Sequence, residues 1–352
     1  MNIYIQSAGQ ISIQSPLSET WFDRPSEYDK VYVRAQEPDY KQYIDSGKLR
    51  RMGKILRRAV VCAQTAVQRS GIAMPDAIIS GTGLGCIENT EIFLNAMINE
   101  GEELLQPTYF MQSTHNTISS RIAIELQCHG YNTTYAHKGI SFDSALFDAF
   151  LQFCAGKIHS ALVGGYDEMT PRYQLMLGRL AYWRKDGEEV TLRRGKEAFA
   201  GETSVSFMLT DRNLPESDRL CRLAGVELLY RPSDAQLQTA LDELLQKEGC
   251  SLSEVDAVMT GMNGNPSVDD AYRKMYNRLF SPCVPASYKH IFGESYTASG
   301  LGMYAAAVCL QRGEIPAFLL LQHPGGLKNV RRILLYHQYE NKNHSLILLT
   351  SC

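Results

Sequence analysis

A chain of 352 residues, 44% hydrophobic and 21% charged, is ordinary in composition for a globular protein and long enough for one large domain or two of roughly 150 residues. Its formal net charge of −3 gives no long-range attraction to nucleic acid or to an anionic membrane. Nine cysteines, an odd number with several inside apolar runs, fit buried free thiols in a reducing compartment better than a disulfide framework.

The amino terminus "MNIYIQSAGQISIQS" has no basic n-region or long apolar core, so no signal peptide is expected. No stretch approaches the roughly 20 apolar residues of a membrane span, and the expected location is the cytoplasm. Strand-like and helix-like runs then alternate. "NIYIQSAG" starts a strand. "MGKILRRAVVCAQTAVQRSG" has helical apolar spacing and stops at Gly71. "DAIISGTGLG" is a buried strand followed by glycines. "TISSRIAIELQCHG" is helical, with Gly130 as its C-cap. "GYNTTYAHKGISFDSALFDAF" is a strand, a tight turn at Gly139 and an amphipathic helix. "HSALVGGYDE" is a strand ending in a glycine pair, and "ETSVSFMLTD" is another strand.

After a polar, Pro-containing break at "DRNLPESDR" a second series begins. "LCRLAGVELLY" is a strand, "DAQLQTALDELLQKEG" a helix and "VDAVMTGMNG" a strand with a glycine turn. "YTASGLGMYAAAVCLQRG" is a helix. "IPAFLLLQH" and "HSLILLTS" are strands. Two successive βαβ-rich halves imply layered α/β architecture with helices on both faces of the sheets. The halves are expected at residues 1–212 and 213–352.

Generic chemistry motifs are poorly matched. "GTGLG" follows a strand but has G-x-G-x-G spacing and no acidic residue closing a later strand, which argues against a dinucleotide loop. No P-loop, zinc-type Cys/His set, HExxH or G-x-S-x-G elbow is present, so neither a cofactor nor a metal is expected. The basic runs Lys48-Leu49-Arg50-Arg51 and Arg193-Arg194 read as solvated faces.

Four stretches, in order over nearly the whole chain, resemble the β-ketoacyl synthase branch of the thiolase superfamily. They are "RRMGKILRRAVVCAQTAVQRSGI" with its following "GTGLG", "GKIHSALVGGYDEMTP", "KEAFAGETSVSFMLTDR" and "YKHIFGESYTASGLGMYAA". The resemblance implies a five-layer αβαβα fold built from two similar halves. It also implies decarboxylative condensation of an acyl-thioester with a malonyl-thioester. That reaction uses a cysteine at a strand-to-helix turn, two histidines and a lysine.

Carried over residue by residue, the resemblance places Gly139 where the family has its cysteine. The position lies seven residues beyond Asn132 of the "GYN" turn, and the helix through Ala145 and Ala149 gives the same register. Asn263 stands at the first histidine and Glu294 at the second, while Lys289 keeps the lysine. The Gly-Phe-Gly-Gly loop expected before the last strand is replaced by "ENKNHSLIL". Glycine forms no acyl-enzyme, asparagine shuttles no proton near neutral pH, and glutamate repels a developing enolate.

The resemblance therefore implies a subunit that is not catalytic alone, of the chain length factor type. Such a subunit pairs with an active ketosynthase and an acyl carrier protein in fatty acid-like, type II polyketide or aryl-polyene and flexirubin-like synthesis. Phe110, Met111 and Gln112 are candidates for a tunnel wall or subunit interface, and Phe142 for a plug of the chain's own pocket; ordinary core packing is the competing expectation for all four. Arg50, Arg51, Arg57 and Arg58 are candidates for a basic patch facing an acidic carrier protein, against a solvated helix face. Three other readings stay open. One is a homodimeric acyl- or carrier-protein-binding protein. Another is a malonyl-thioester decarboxylase. The third is a new activity built from His137, Lys138, Ser141 and Glu294.

Overall fold

Most strand runs in this sequence are apolar without alternation, which requires cover on both faces. The computed structural model describes residues 2–102, 105–180, 182–183, 198–214, 219–322 and 325–352. Among them, ten strands form one mixed sheet. They are β1 (Ile3–Ile11), β2 (Ala77–Gly81), β3 (Tyr131–Tyr135), β4 (Ser160–Asp167), β5 (Thr203–Thr210), β6 (Cys221–Tyr230), β7 (Ala257–Thr260), β8 (Val284–Ser287), β9 (Arg332–Tyr339) and β10 (Asn343–Thr350). The order is β8-β7-β9-β10-β6-β1-β5-β4-β2-β3. Strands up to Thr210 and strands from Cys221 form two neighbouring sets, joined where β1 pairs with β6 over Ile3–Ile5.

The helices complete the layers: α1 (Lys54–Ser70), α2 (Ile87–Glu100), α3 (Thr117–Leu126), α4 (Ser141–Cys154), α5 (Pro171–Arg179), α6 (Asp234–Glu248), α7 (Pro266–Met275) and α8 (Ala298–Arg312). Helices α1 and α3 pack Val60, Ile118 and Ile122 on Ile78 and Leu162. Helices α6 and α7 pack Leu241 and Tyr272 on Val258 and Leu334. Between the sets lie α4 and α8, whose Phe142, Leu146 and Val308 share a core with Ile79, Phe207, Leu335 and Ile347. Neighbouring residues such as Ile78 and Ile79, or Leu334 and Leu335, thus face different layers, as strand alternation dictates. Every residue of α8 from Ala298 to Leu310 is buried, which explains why this helix is apolar all round. The result is the αβαβα layering of a thiolase-like fold. Among the described residues no helix is long and apolar enough to cross a membrane.

The structure corrects several local expectations. Helix α3 ends at Gln127 in the left-handed conformation (φ 55°), not at Gly130. Gly130 instead meets the Asp76 carbonyl oxygen, which would lie 2.2 Å from a β-carbon at that position. The pair Gly164-Gly165 does not end β4, which continues to Asp167 because β5 goes on pairing with it, Ser204 opposite Tyr166 and Thr203 opposite Asp167. "IPAFLLLQH" is not a strand over its described residues. After the two-residue strand Glu314–Ile315, Pro316 has no N–H for a ladder and the chain turns into a 3-10 helix at Ala317–Leu319. Arg58 is not part of a surface patch. It is 1% exposed and pairs with Glu37 and Glu202 at 2.6 and 2.9 Å. Arg193, Arg194 and residues 215–218 of the expected break lie outside the described residues.

Candidate functional site

The strand-turn-helix around Gly139 is built as the local sequence implies. From β3 the chain enters a 3-10 turn at Lys138–Ile140 and then α4. Ser141 fixes the turn. Its hydroxyl lies 2.7 Å from the Lys138 carbonyl and 3.0 Å from that of Thr82, and it accepts the His137 N–H at 2.8 Å. Asp143, in the first turn of α4, accepts hydrogen bonds from Ser299 and Ser345 at 2.7 and 2.5 Å and ties the turn to the second half. A carboxylate there also complements the helix N-terminus.

Gly139 is buried, and what faces it comes from β9. A β-carbon on Gly139 would lie 2.2 Å from Cδ2 and 2.6 Å from Cγ of Tyr339. The Gly139 carbonyl is 2.8 Å from Nε2 of His337. Because a carbonyl only accepts, Nε2 carries the proton, and Nδ1 accepts from the Tyr272 hydroxyl at 3.2 Å. Burial holds the His337 pKa below the ordinary histidine value, which keeps the ring neutral.

Lys289, Glu294 and Asn263 meet as a second cluster. The short helical turn Lys289–Phe292 is followed by Gly293 at φ 75°, which reverses the chain and brings Glu294 back over the lysine. The backbone of Glu294 is clamped on both sides, its N–H donating to Phe199 and its carbonyl accepting from Gly201. Lys289 Nζ lies 2.8 Å from both carboxylate oxygens of Glu294, and Asn263 Nδ2 donates to one of them at 2.6 Å. The Asn263 side-chain oxygen accepts from the Asn265 N–H at 2.9 Å. Asp269, held above the usual carboxylate range by burial, accepts from the Asn263 and Gly264 N–H groups. The lysine and glutamate side chains are 5% and 11% exposed, so the pair is neutral as a unit and mutually satisfied.

Gly139, Lys289 and Glu294 line one cavity of about 660 Å³. His337 and Tyr339 line it as well, together with Tyr173, Tyr182, Trp183 and Tyr296. Asn263 joins it through its bond to Glu294. The described lining contains no cysteine. Burial raises the thiols of Cys62, Cys86, Cys221 and Cys309 well above their ordinary value.

The remaining candidates lie elsewhere. Phe142 is fully buried in the middle core, 5.8 Å from Phe207, and does not line the cavity. Phe110 and Met111 are 57% and 62% exposed at a short helix near α3. Gln112 bonds the Arg51 carbonyl and Asn89. The His137 ring faces Ser144, with Nδ1 and Oγ 3.1 Å apart, while Ser141 is committed to backbone groups, so no His137/Ser141 side-chain pair forms.

A thiolase-like ketosynthase fold is what these layers and this turn define. Residues 23–210 match the β-ketoacyl synthase N-terminal domain, and the chain belongs to that family. No curated protein matches it in sequence. Three solved structures are similar over all of this chain and 99% of their own. The ishigamide ketosynthase/chain length factor aligns at 17% identity and a TM-score of 0.80. A β-ketoacyl synthase from Burkholderia phymatum STM815 aligns at 14% and 0.84. AntDE:AntF, a type II polyketide acyl carrier protein in complex with its ketosynthase bound to the hexaketide, aligns at 12% and 0.78.

Proposed function

We propose that the chain is a ketosynthase-like subunit without condensing chemistry of its own, of the chain length factor type. It pairs with an active β-ketoacyl synthase and shapes that partner's acyl tunnel in polyketide- or fatty acid-like synthesis, with an acyl carrier protein delivering the chain. The observation that carries this reading is the contact of Tyr339 with Gly139. Gly139 offers no side chain at the position where the resemblance sets the nucleophile, and the Tyr339 ring takes the space that a β-carbon there would need. Asn263 and Glu294, which the resemblance sets at the two histidine positions, bond one another, and Glu294 also bonds Lys289. The Lys289 ammonium and the Asn263 amide are both committed to the Glu294 carboxylate, which argues against their serving an enolate. We take residues 1–212 and 213–352 as the two halves.

The surface supports a subunit partner. Among the described residues strand β3 is the edge of the sheet, paired with β2 alone. Tyr131 on it is 42% exposed, and Ile124 on α3 and Leu151 on α4 are 64% and 49% exposed. An open strand edge with apolar neighbours is a template for pairing with another chain. The structural similarity to a ketosynthase/chain length factor is in keeping with such a pairing.

The test is co-expression with a ketosynthase encoded beside this gene, followed by size-exclusion chromatography and mass analysis. A 1:1 complex whose malonyl-dependent elongation vanishes when the partner's cysteine is removed supports the proposal. A stable homodimer that ignores the ketosynthase overturns it and favours a binding protein for acyl groups.

A further inference from the structure

The cavity over Gly139 holds about 660 Å³, and its lining is chemically distinctive. Five aromatic side chains line it: Tyr173, Tyr182 and Trp183 from α5 and just beyond, Tyr296 ahead of α8, and Tyr339 at the end of β9. They are held in place by one another. The Tyr173 and Tyr296 hydroxyls are 2.7 Å apart, the Tyr296 and Tyr339 rings meet edge-to-face at 6.0 Å, and those of Tyr182 and Trp183 at 4.6 Å. The Trp183 indole N–H donates to the Gln174 carbonyl at 3.2 Å. Burial keeps the phenols of Tyr182, Tyr296 and Tyr339 protonated, so they present O–H groups and not phenolates.

The buried charged groups add no net attraction for an anion. Lys289 is spent on Glu294, while Lys138 is exposed to solvent and the nearby Glu340 carboxylate is paired with Lys342 at 2.9 Å. Leu177, Val268 and Ala271 complete an apolar lining.

We infer that this cavity is a binding site for an uncharged, planar, conjugated group bearing a hydrogen-bonding oxygen, such as an aromatic alcohol. Aromatic walls discriminate a flat ring from a saturated one by stacking and edge-to-face contacts. Tyrosine hydroxyls at fixed positions orient a ligand oxygen. A carboxylated ligand, the malonyl unit included, gains no buried unpaired cation here, since Lys289 is held by Glu294, and loses its hydration. The inference rests on the reading that this cavity performs no condensation.

Trp183 supplies the signal, because the only other tryptophan, Trp21, is buried against Phe292 and Tyr304 in the core. The experiment titrates the full chain with 2-naphthol, its saturated counterpart 2-decalol and its anionic counterpart 2-naphthoate, reading tryptophan emission. The expected result is a saturable change with 2-naphthol, at an affinity at least about tenfold above either control, the ~1.4 kcal/mol that one or two aromatic contacts supply. Trp183→Phe removes the signal. Tyr173→Leu weakens binding several-fold with an unchanged melting temperature; if that variant does not fold, the three-ligand comparison on the wild type decides alone. Equal affinity for naphthol and decalol, equal affinity for naphthoate, or no saturable change with naphthol overturns the inference. Its failure is distinct from failure of the subunit reading, which is judged by co-purification with a ketosynthase.

Discussion

The ring of Tyr339 stands where a side chain on Gly139 would have to go, with only 2.2 Å between Cδ2 and a β-carbon at that position. Real β-carbons do not approach other heavy atoms so closely, so any substitution forces the ring or the turn to move. Gly139→Cys is therefore expected to destabilise the protein by about 1–3 kcal/mol. It is also expected not to create an acylatable cysteine. Adding Tyr339→Ala to the same chain should recover most of the loss. Urea unfolding of the three variants checks this, and a Gly139→Cys protein as stable as the wild type would show that the ring yields freely.

The Lys289–Glu294 pair makes a second prediction. Removing one partner of a buried pair leaves the other charge uncompensated, so Lys289→Met should cost about 3–5 kcal/mol. The double variant Lys289→Met/Glu294→Met should cost less than Lys289→Met alone, since no charge is then stranded. A double-mutant cycle by denaturant unfolding measures the coupling.

A third prediction concerns acid. His290 donates from Nε2 to the Phe318 carbonyl at 2.8 Å, and Nδ1 lies 3.2 Å from the Ser287 hydroxyl. Burial pushes its pKa down to about 4, against roughly 6.5 for an unfolded chain. Between these values the unfolded state binds more protons, so the stability held at neutral pH is lost as pH falls through that window. Burial raises Asp167 to about 6 and Glu168 to about 7, which acts in the opposite sense, so the wild-type curve alone is mixed. The stability advantage of wild type over His290→Gln is expected to shrink between pH 7 and pH 4.5, as read by urea unfolding at several pH values.

The exposed apolar residues give a fourth. Met111 is 62% exposed, so Met111→Asp should change stability by less than about 0.5 kcal/mol. If this face meets the partner ketosynthase, the substitution should abolish co-purification while the melting temperature stays put. Retained complex formation would remove Met111 from the interface.

Why part of the site was legible in sequence and part was not follows from where each residue gets its neighbours. The turn at Gly139 is local: strand, glycine and amphipathic helix run consecutively, and the periodicity of α4 fixes the register. Asn263, Lys289 and Glu294 were reachable only through the order of family motifs, and their mutual bonding across as many as 31 residues leaves no local trace. His337 and Tyr339 were missed. They sit on "RRILLYHQY", an apolar run with no motif, 198 residues or more from the glycine they contact. Alternation along β9 places Leu335, His337 and Tyr339 on one face, a signal that acquires meaning only once the strand is set beside β7 and β10. The buried Arg58 was misjudged for a related reason. Its partners, Glu37 and Glu202, lie 21 and 144 positions away, one on each side in sequence.

The most direct test of the central claim is the mass of each subunit after the co-purified complex has been incubated with an acyl-thioester carried on acyl carrier protein. The account predicts one acyl group on the partner ketosynthase, lost when its cysteine is replaced, and an unmodified mass for this chain. A covalent acyl adduct on this chain would contradict it.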